Sequence, residues 1–180
     1  MDSKYYSHWH LASNELEYKV TEFEWSIIRC NEAFTRWLAS ASAVVVDGDL
    51  KISEYLILQV IGMLDRPRNG MTIARMLNRD DVANVQYSLR KLESYQLIRK
   101  QKEAGSKVHA FEVTDKGKKA CDEFSVIRRE LLIESVKGLE NLYEKVSNAT
   151  QFLSILTGVY EEVSRTSAAL SHGATKTGSR

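Results

Sequence analysis

The chain has 180 residues, which is long enough to bury one sizeable core. Its formal net charge is +1. One proline and nine glycines, with abundant Leu, Val, Glu and Lys, predict a mostly helical protein. There is no run of about 18 apolar residues and no signal-peptide core, so we expect a cytoplasmic protein without a membrane span. The two cysteines form neither a metal-binding spacing nor a disulfide framework, and no metal is expected.

Residues 1–50 are predicted to hold an N-terminal arm and a long first helix. Apolar residues recur at steps of three and four from Leu16 to Val45, which predicts one buried stripe. The run Asp47-Gly48-Asp49 ends the helix.

Residues 51–117 are predicted to form a winged helix-turn-helix. A helix capped by Ser53 closes in the Pro- and Gly-containing loop at residues 65–70. From Thr72 the chain then runs through a short helix, a polar turn, a second helix and a basic hairpin. In this layout a helix can fill the major groove of DNA while the hairpin follows the phosphates or enters the minor groove.

The helix predicted over residues 82–95 has one apolar and one polar face. Asp80 or Asp81 caps it, because a carboxylate can accept hydrogen bonds from the unpaired amides of the first turn. Asn and Gln can pair with adenine edges, Arg with guanine, and Ala can contact the methyl group of thymine. An ordinary amphipathic helix with a solvated polar face is the alternative. The apolar stripe is Val82, Val85, Leu89 and Leu92, and the polar face is Ala83, Asn84, Gln86, Tyr87, Arg90 and Lys91.

The basic hairpin strengthens the DNA-binding interpretation. Strand-like runs at residues 98–102 and 108–113 are joined by a Gly-containing link, and Thr114 is expected to cap the next helix. Residues 75–119 hold eleven Lys and Arg against six Asp and Glu, a net charge of +5. Positive charge is therefore concentrated where phosphate binding by counterion release requires it.

The chain resembles the MarR family of winged-helix transcription regulators. Residues 92–97 read Leu-Glu-Ser-Tyr-Gln-Leu where the family has Leu-Glu-x-x-Gly-Leu, and residues 113–117 read Val-Thr-Asp-Lys-Gly where it has Leu-Thr-x-x-Gly. Gln96 replaces the usual glycine, which indicates a different turn. Residues 105–107, Gly-Ser-Lys, take the place of the family's Asp-x-Arg wing tip. The resemblance therefore assigns the minor-groove contact to Lys107.

Residues 118–170 are predicted to contain a linking helix and a C-terminal dimerisation helix. The apolar stripe from Leu139 to Leu170 is longer than a small winged-helix core can cover. This length, with the family resemblance, predicts a homodimer reading a pseudo-palindromic site. An intramolecular pairing of the first and last helices is the alternative. Residues 171–180 are rich in Gly, Ser, Thr and Lys and are predicted to be a disordered tail.

The resemblance also implies a small aromatic or anionic effector that releases DNA. The candidates for lining its cleft are Trp25, Arg29, Trp37 and Tyr55, and core packing is the alternative for each aromatic residue. Some family members oxidise a cysteine in the first helix. Cys30 lies within the apolar stripe, however, and we expect it to be buried and inert.

The sequence thus predicts a mainly α protein with a small β-hairpin wing, and a winged helix-turn-helix between long N- and C-terminal dimerisation helices. No phosphate cradle, zinc motif or nucleophile elbow is present, so neither an enzyme nor a cofactor is expected. We expect a double-stranded DNA-binding regulator, acting as a repressor. A winged helix used for protein assembly and a Cys30 redox sensor are the alternatives. The expected DNA contacts are Thr72, Ala83, Asn84, Gln86, Tyr87, Arg90, Lys91, Lys102, Ser106 and Lys107.

Overall fold

The computed structural model describes residues 9–102 and 109–174, and the chain divides into two compact units, residues 1–128 and 129–180. The predicted fold class, mainly α with a small wing, is confirmed. The first unit contains α1 (Glu15–Val45), α2 (Ile52–Gly62), β1 (Arg68–Asn69), α3 (Gly70–Met76), α4 (Val82–Ser94), β2 (Ile98–Lys102), β3 (His109–Val113) and α5 (Asp115–Ile127). A π-helical segment (Arg128–Ile133) follows, and then α6 (Glu134–Val136) and α7 (Leu142–Ala174).

Polar side chains begin four of the helices by accepting hydrogen bonds from backbone amides of the first turn. Asp81 accepts from the amide of residue 84 at 3.0 Å, so the cap of α4 is Asp81 and not Asp80. Thr114 accepts from the amide of residue 117 at 3.1 Å, as predicted. Asn14 and Asn69 act in the same way at α1 and α3.

The start of α2 differs from the prediction. Ser53 was expected to cap this helix, but the helix begins at Ile52 with Lys51 as its N-cap residue. The Glu54 carboxylate accepts the backbone N–H of Lys51 at 2.7 Å. A glutamate at the third helical position can reach back to the cap in this way, and the serine is not needed.

The wing belongs to a three-stranded antiparallel sheet in the order β1-β3-β2. Ile98 faces Val113 and Lys102 faces His109 in the hairpin, while Arg68 faces Phe111 on the other edge of β3. The predicted loop at residues 65–70 therefore contains a short strand. Two residues are too few to show the alternation by which a strand is recognised.

The core of the first unit lies where α2, α3 and α4 meet the sheet. Three residues of the predicted α4 stripe, Val85, Leu89 and Leu92, are completely buried. Val82, the fourth, is 37% exposed because it begins the helix at the edge of the core. Burying side chains of this size stabilises the fold by about 1.5–3 kcal/mol each, which holds α4 with its opposite face outward.

The turn after α4 keeps the left-handed conformation that a glycine would adopt. Gln96 has φ +59°, so the different turn expected from its side chain is not found. The amide of Leu97 donates to the carbonyl of Leu92 at 3.0 Å, and that of Gln96 donates to Glu93 at 2.9 Å. This pair of bonds is the Schellman arrangement, which satisfies the last carbonyls of the helix.

The second unit consists largely of α7, a helix of 33 residues with many exposed apolar side chains. Val146, Ile155 and Val163 are each more than half exposed. The helix continues to Ala174, and the remainder of the predicted tail, residues 175–180, lies outside the described residues. Within residues 9–102 and 109–174, no helix is long and apolar enough to cross a membrane.

Candidate nucleic-acid interface

The polar face of α4 is exposed as the sequence predicted. Ala83, Gln86, Tyr87 and Arg90 are all exposed, Tyr87 by 56%. At 3.6 residues per turn these four lie within about 100° of one another around the helix. They form a continuous surface opposite the buried stripe, and their amide, hydroxyl and guanidinium groups match the donors and acceptors of base edges.

Two amide side chains on this helix already have neighbours. The side-chain nitrogen of Asn84 donates to the Asp81 carboxylate, which leaves the second N–H and the oxygen of that amide for another partner. The Gln86 amide lies against the start of α3, where a Cβ on Gly70 would be 2.2 Å from its Nε2. The lack of a side chain at Gly70 therefore makes room for Gln86. Thr72, the predicted contact on α3, is partly buried in the first turn of that helix.

Lys91, a predicted DNA contact at the edge of the polar face, is paired within the protein. Its ammonium nitrogen lies 2.8 Å from the Glu54 carboxylate and donates to the backbone carbonyl of Asp49 at 2.5 Å. The hydrogen bond to Glu54 is the main reason that the pKa of Lys91 is raised, and the side chain stays protonated. Lys91 is therefore bound to the scaffold beside α2 and does not project from the polar face.

The cations of the wing divide into paired and unpaired groups. Arg99 lies 2.5 Å from Glu112, and Lys100 lies 2.9 Å from Glu93. Lys102, at the exposed end of β2, has no acidic partner among the described residues. Of the wing cations that the structure describes, Lys102 is thus the one left without an acidic partner, while Ser106 and Lys107 lie outside the described residues.

Two arginines that the sequence analysis did not select also belong to this region. Arg75 is exposed on α3 and Arg79 is half-buried in the turn before α4. Neither has an acidic partner in the part of the chain that the structure describes. Their contribution to the +5 charge of residues 75–119 was a signal that could have identified them. A helix preceding the recognition helix crosses the DNA backbone in helix-turn-helix proteins, where such cations meet phosphates.

An open cleft of about 630 Å³ separates α4 from the wing. Gln86 and Arg90 line one wall, and Lys100, His109 and Phe111 line the other. Among the described residues, no group of three His, Cys, Asp or Glu side chains could hold a metal ion. The arrangement is an open groove between a helix and a hairpin, in which Gln86, Arg90, Lys100 and His109 stand among apolar side chains such as Val82 and Phe111.

The four effector candidates do not form one pocket. Tyr55 is completely buried, with its ring 5.4 Å from that of Phe124, so it cannot line an open cleft. Trp37 packs between Phe34 and Phe124. Trp25 and Arg29 are exposed on α1, and Trp25 lies about 18 Å along the helix from Trp37.

One of the two cysteines also differs from expectation. Cys30 is exposed, whereas it was predicted to be buried, because the part of α1 that carries it lies outside the core of the first unit. Cys121 is the half-buried cysteine, and burial raises the pKa of its thiol to about 11.

Residues 50–117 match the family model described as a winged helix DNA-binding domain. The chain is similar in structure to the transcriptional regulator BldR from Sulfolobus solfataricus, with 18% identity and a TM-score of 0.63 over 78% of this chain and 98% of that chain. A MarR family transcription regulator gives 10% identity and a TM-score of 0.62 over 84% and 99%. FabT from Streptococcus pneumoniae, solved in complex with DNA, has 17% sequence identity and a TM-score of 0.58 over 78% of this chain and 99% of that chain. No curated protein matches the sequence significantly.

The match and the fold together identify residues 50–117 as similar to winged-helix DNA-binding domains. The resemblance to the MarR family is confirmed in the architecture, since the chain has the fold of the MarR-type transcription regulators. The matched domain and the structural neighbours are DNA-binding domains and transcription regulators rather than enzymes.

Proposed function

We propose that the chain is a sequence-specific transcription regulator that binds a pseudo-palindromic site in duplex DNA as a homodimer. The observation that carries the proposal is the exposed face of α4, where Gln86, Tyr87 and Arg90 project beside the wing. Within the described residues, the Arg90 guanidinium has no acidic partner, although it lines a groove with Lys100 and His109. A phosphate or a guanine edge supplies the acceptor that the protein does not.

The distribution of unpaired charge supports DNA as the partner and gives a number to measure. Arg75, Arg79, Arg90 and Lys102 have no acidic partner in the described parts of the chain. Each neutralised phosphate contributes about 0.9 to the slope of log affinity against log salt concentration. Four cations in each of two subunits therefore predict a slope of about −7.

The apolar surface of α7 supports the homodimer. Val146 and Val163 lie on the stripe predicted for dimerisation, and each is more than half exposed in the single chain. A soluble protein rarely leaves so many large apolar residues uncovered along one helix, and two-fold pairing of identical helices is the commonest way to cover them. The dimer also provides the two recognition helices that a palindromic site requires.

Regulation by a ligand belongs to the same proposal. DNA binding in this architecture requires a fixed separation of the two recognition helices, about one helical turn of DNA. A small aromatic or anionic molecule with higher affinity for a different separation would release the DNA, which is the behaviour of a ligand-responsive repressor. A screen for compounds that abolish operator binding, with thermal stabilisation of the free protein as a second readout, tests this part.

Selection of genomic fragments by the purified protein at near-physiological salt tests the proposal. We expect enrichment of an inverted repeat with half-sites about one helical turn apart. Arg90→Ala should weaken this enrichment and relax the preference at one base position, whereas Lys118→Ala, which removes an exposed cation from α5, should leave it unchanged. No enrichment at any salt concentration would reject DNA reading and favour a winged helix that assembles with proteins.

Sedimentation of variants of α7 tests the dimer separately. Val163→Glu places a charge on the exposed apolar stripe, and we expect the protein to sediment as a monomer. Ser147→Glu adds the same charge at an exposed position on another face of the helix and should leave the dimer intact. Identical sedimentation of the two variants would show that this stripe is not the dimer surface.

A further inference from the structure

The C-terminal half of α4 is fastened to the loop between α1 and α2, residues 46–51, by Lys91. The ammonium group joins the Glu54 carboxylate, at 2.8 Å, to the backbone carbonyl of Asp49, at 2.5 Å. Glu54 is only 1% exposed, and its carboxylate also accepts the amide of Lys51 at 2.7 Å. The recognition helix is thus tied through one side chain to both the loop and the first turn of α2.

A second contact one helical turn later acts on the same loop. Gly48 has φ +131°, and a Cβ there would lie 2.2 Å from Cε1 of Tyr95. The backbone of the loop therefore runs directly against the ring at the end of α4. Two contacts four residues apart fix both the rotation of the helix about its axis and its position along that axis.

The rotation of α4 decides where the base-reading groups point. Lys91 is adjacent to Arg90 in the chain, and successive side chains are about 100° apart around a helix. With Lys91 held inward at the loop, Arg90 and Gln86 are directed into the groove beside the wing. Removing Lys91 alone would leave a buried carboxylate without its counterion, which proteins tolerate poorly.

We propose that Lys91 is a positioning residue for DNA reading, which fixes the orientation of α4 on the α1–α2 loop and makes no contact with DNA. The inference rests on the proposed function. Base recognition requires side chains held to within about 0.5 Å. Loss of the tie therefore lowers the affinity for the specific site, while attraction to phosphate in non-specific DNA remains.

The test removes the whole ion pair, because the single deletion can unfold the protein. The double variant Glu54→Met and Lys91→Met replaces two paired charges by apolar groups of similar length, an exchange that buried pairs often tolerate. We expect affinity for the selected site to fall about tenfold or more, equivalent to one lost bidentate base contact. Non-specific affinity and the salt slope should equal those of the wild type. Arg90→Met is the control for a cation that contacts DNA. Its slope of log affinity against log salt concentration should be smaller than that of the wild type.

Lys91→Gln gives a second test that does not depend on the double variant, since an amide can still donate to the Glu54 carboxylate. A salt slope equal to that of the wild type supports positioning. A slope smaller by about 0.9 for each subunit would mean that Lys91 neutralises a phosphate, and the inference would be overturned. Wild-type affinity in a folded double variant overturns it as well. If the wild-type protein itself binds no DNA, the proposed function and this inference both fall.

Discussion

Replacing Gly117 by alanine should lower the free energy of unfolding by about 3 kcal/mol. A Cβ at this position would lie 1.9 Å from the carbonyl oxygen of Leu97 and 2.9 Å from its carbonyl carbon. Both are backbone atoms, so no side-chain rotation relieves the clash and α5 must move away from the turn after α4. Overpacking of this kind costs about 1–3 kcal/mol. The displacement also weakens the hydrogen bonds of Thr114, at about 1 kcal/mol each.

Thermal unfolding followed by circular dichroism, at one fixed protein concentration, measures this loss. A loss of 3 kcal/mol should lower the unfolding midpoint by roughly 6–12 °C in a chain of this size. Gly158→Ala is the matched control, because a Cβ there meets nothing within 4 Å and the residue lies inside α7. It should stabilise the protein by about 1 kcal/mol. Equal midpoints for the wild type and Gly117→Ala would refute the steric argument.

Three further changes have definite expected results. Gln96→Gly should raise the free energy of unfolding by about 0.5–1 kcal/mol in urea denaturation, since it relieves the left-handed conformation at φ +59° at some cost in chain entropy; a loss of stability would show that the Gln96 side chain contributes more than its backbone costs. Arg90→Ala should weaken specific binding by about 1–3 kcal/mol and relax one base position, measured by titration against single-base operator variants with Lys118→Ala as the control. A thiol reagent at pH 8 should modify Cys30 rapidly and Cys121 only on unfolding, because the pKa of the Cys121 thiol is raised to about 11; rapid modification that persists in Cys30→Ser would contradict this.

The boundaries and the buried face of α4 could be predicted because the sequence signals for them are local. The burial of Val85, Leu89 and Leu92 follows from their spacing, and the sequence limits the cap to Asp80 or Asp81, of which the structure selects Asp81. Both depend on residues within one helix. The exposed polar face is then a geometric consequence of the buried one.

The features that the sequence did not predict depend on partners far away in the chain. Lys91 has a helical position at which a DNA contact was predicted, but its ammonium group forms an ion pair with Glu54, which lies 37 residues earlier in the sequence. Cys30 was expected to be buried and is exposed, and for Tyr55 the alternative of core packing is the one found. Tyr55 is packed by Phe124 of α5, while the segment of α1 around Cys30 extends beyond the core. Periodicity identifies the apolar face of a helix, but it does not say how much of that face the rest of the chain covers.

The two sequence segments that carry the family resemblance, residues 92–97 and 113–117, are bonded to each other, although the wing separates them in the chain. The hydroxyl of Thr114 accepts the amide of Gly117 and donates to the carbonyl of Gln96 at 2.6 Å, and the Thr114 amide donates to Leu97 at 3.1 Å. A threonine hydroxyl can perform both tasks because it is a donor and an acceptor at once. The start of α5 is thereby bonded directly to the turn that ends the recognition helix. Lys91 bonds α4 to the α1–α2 loop as well. The polar face of α4 is therefore oriented by two sets of contacts, one with the start of α5 and one with the α1–α2 loop.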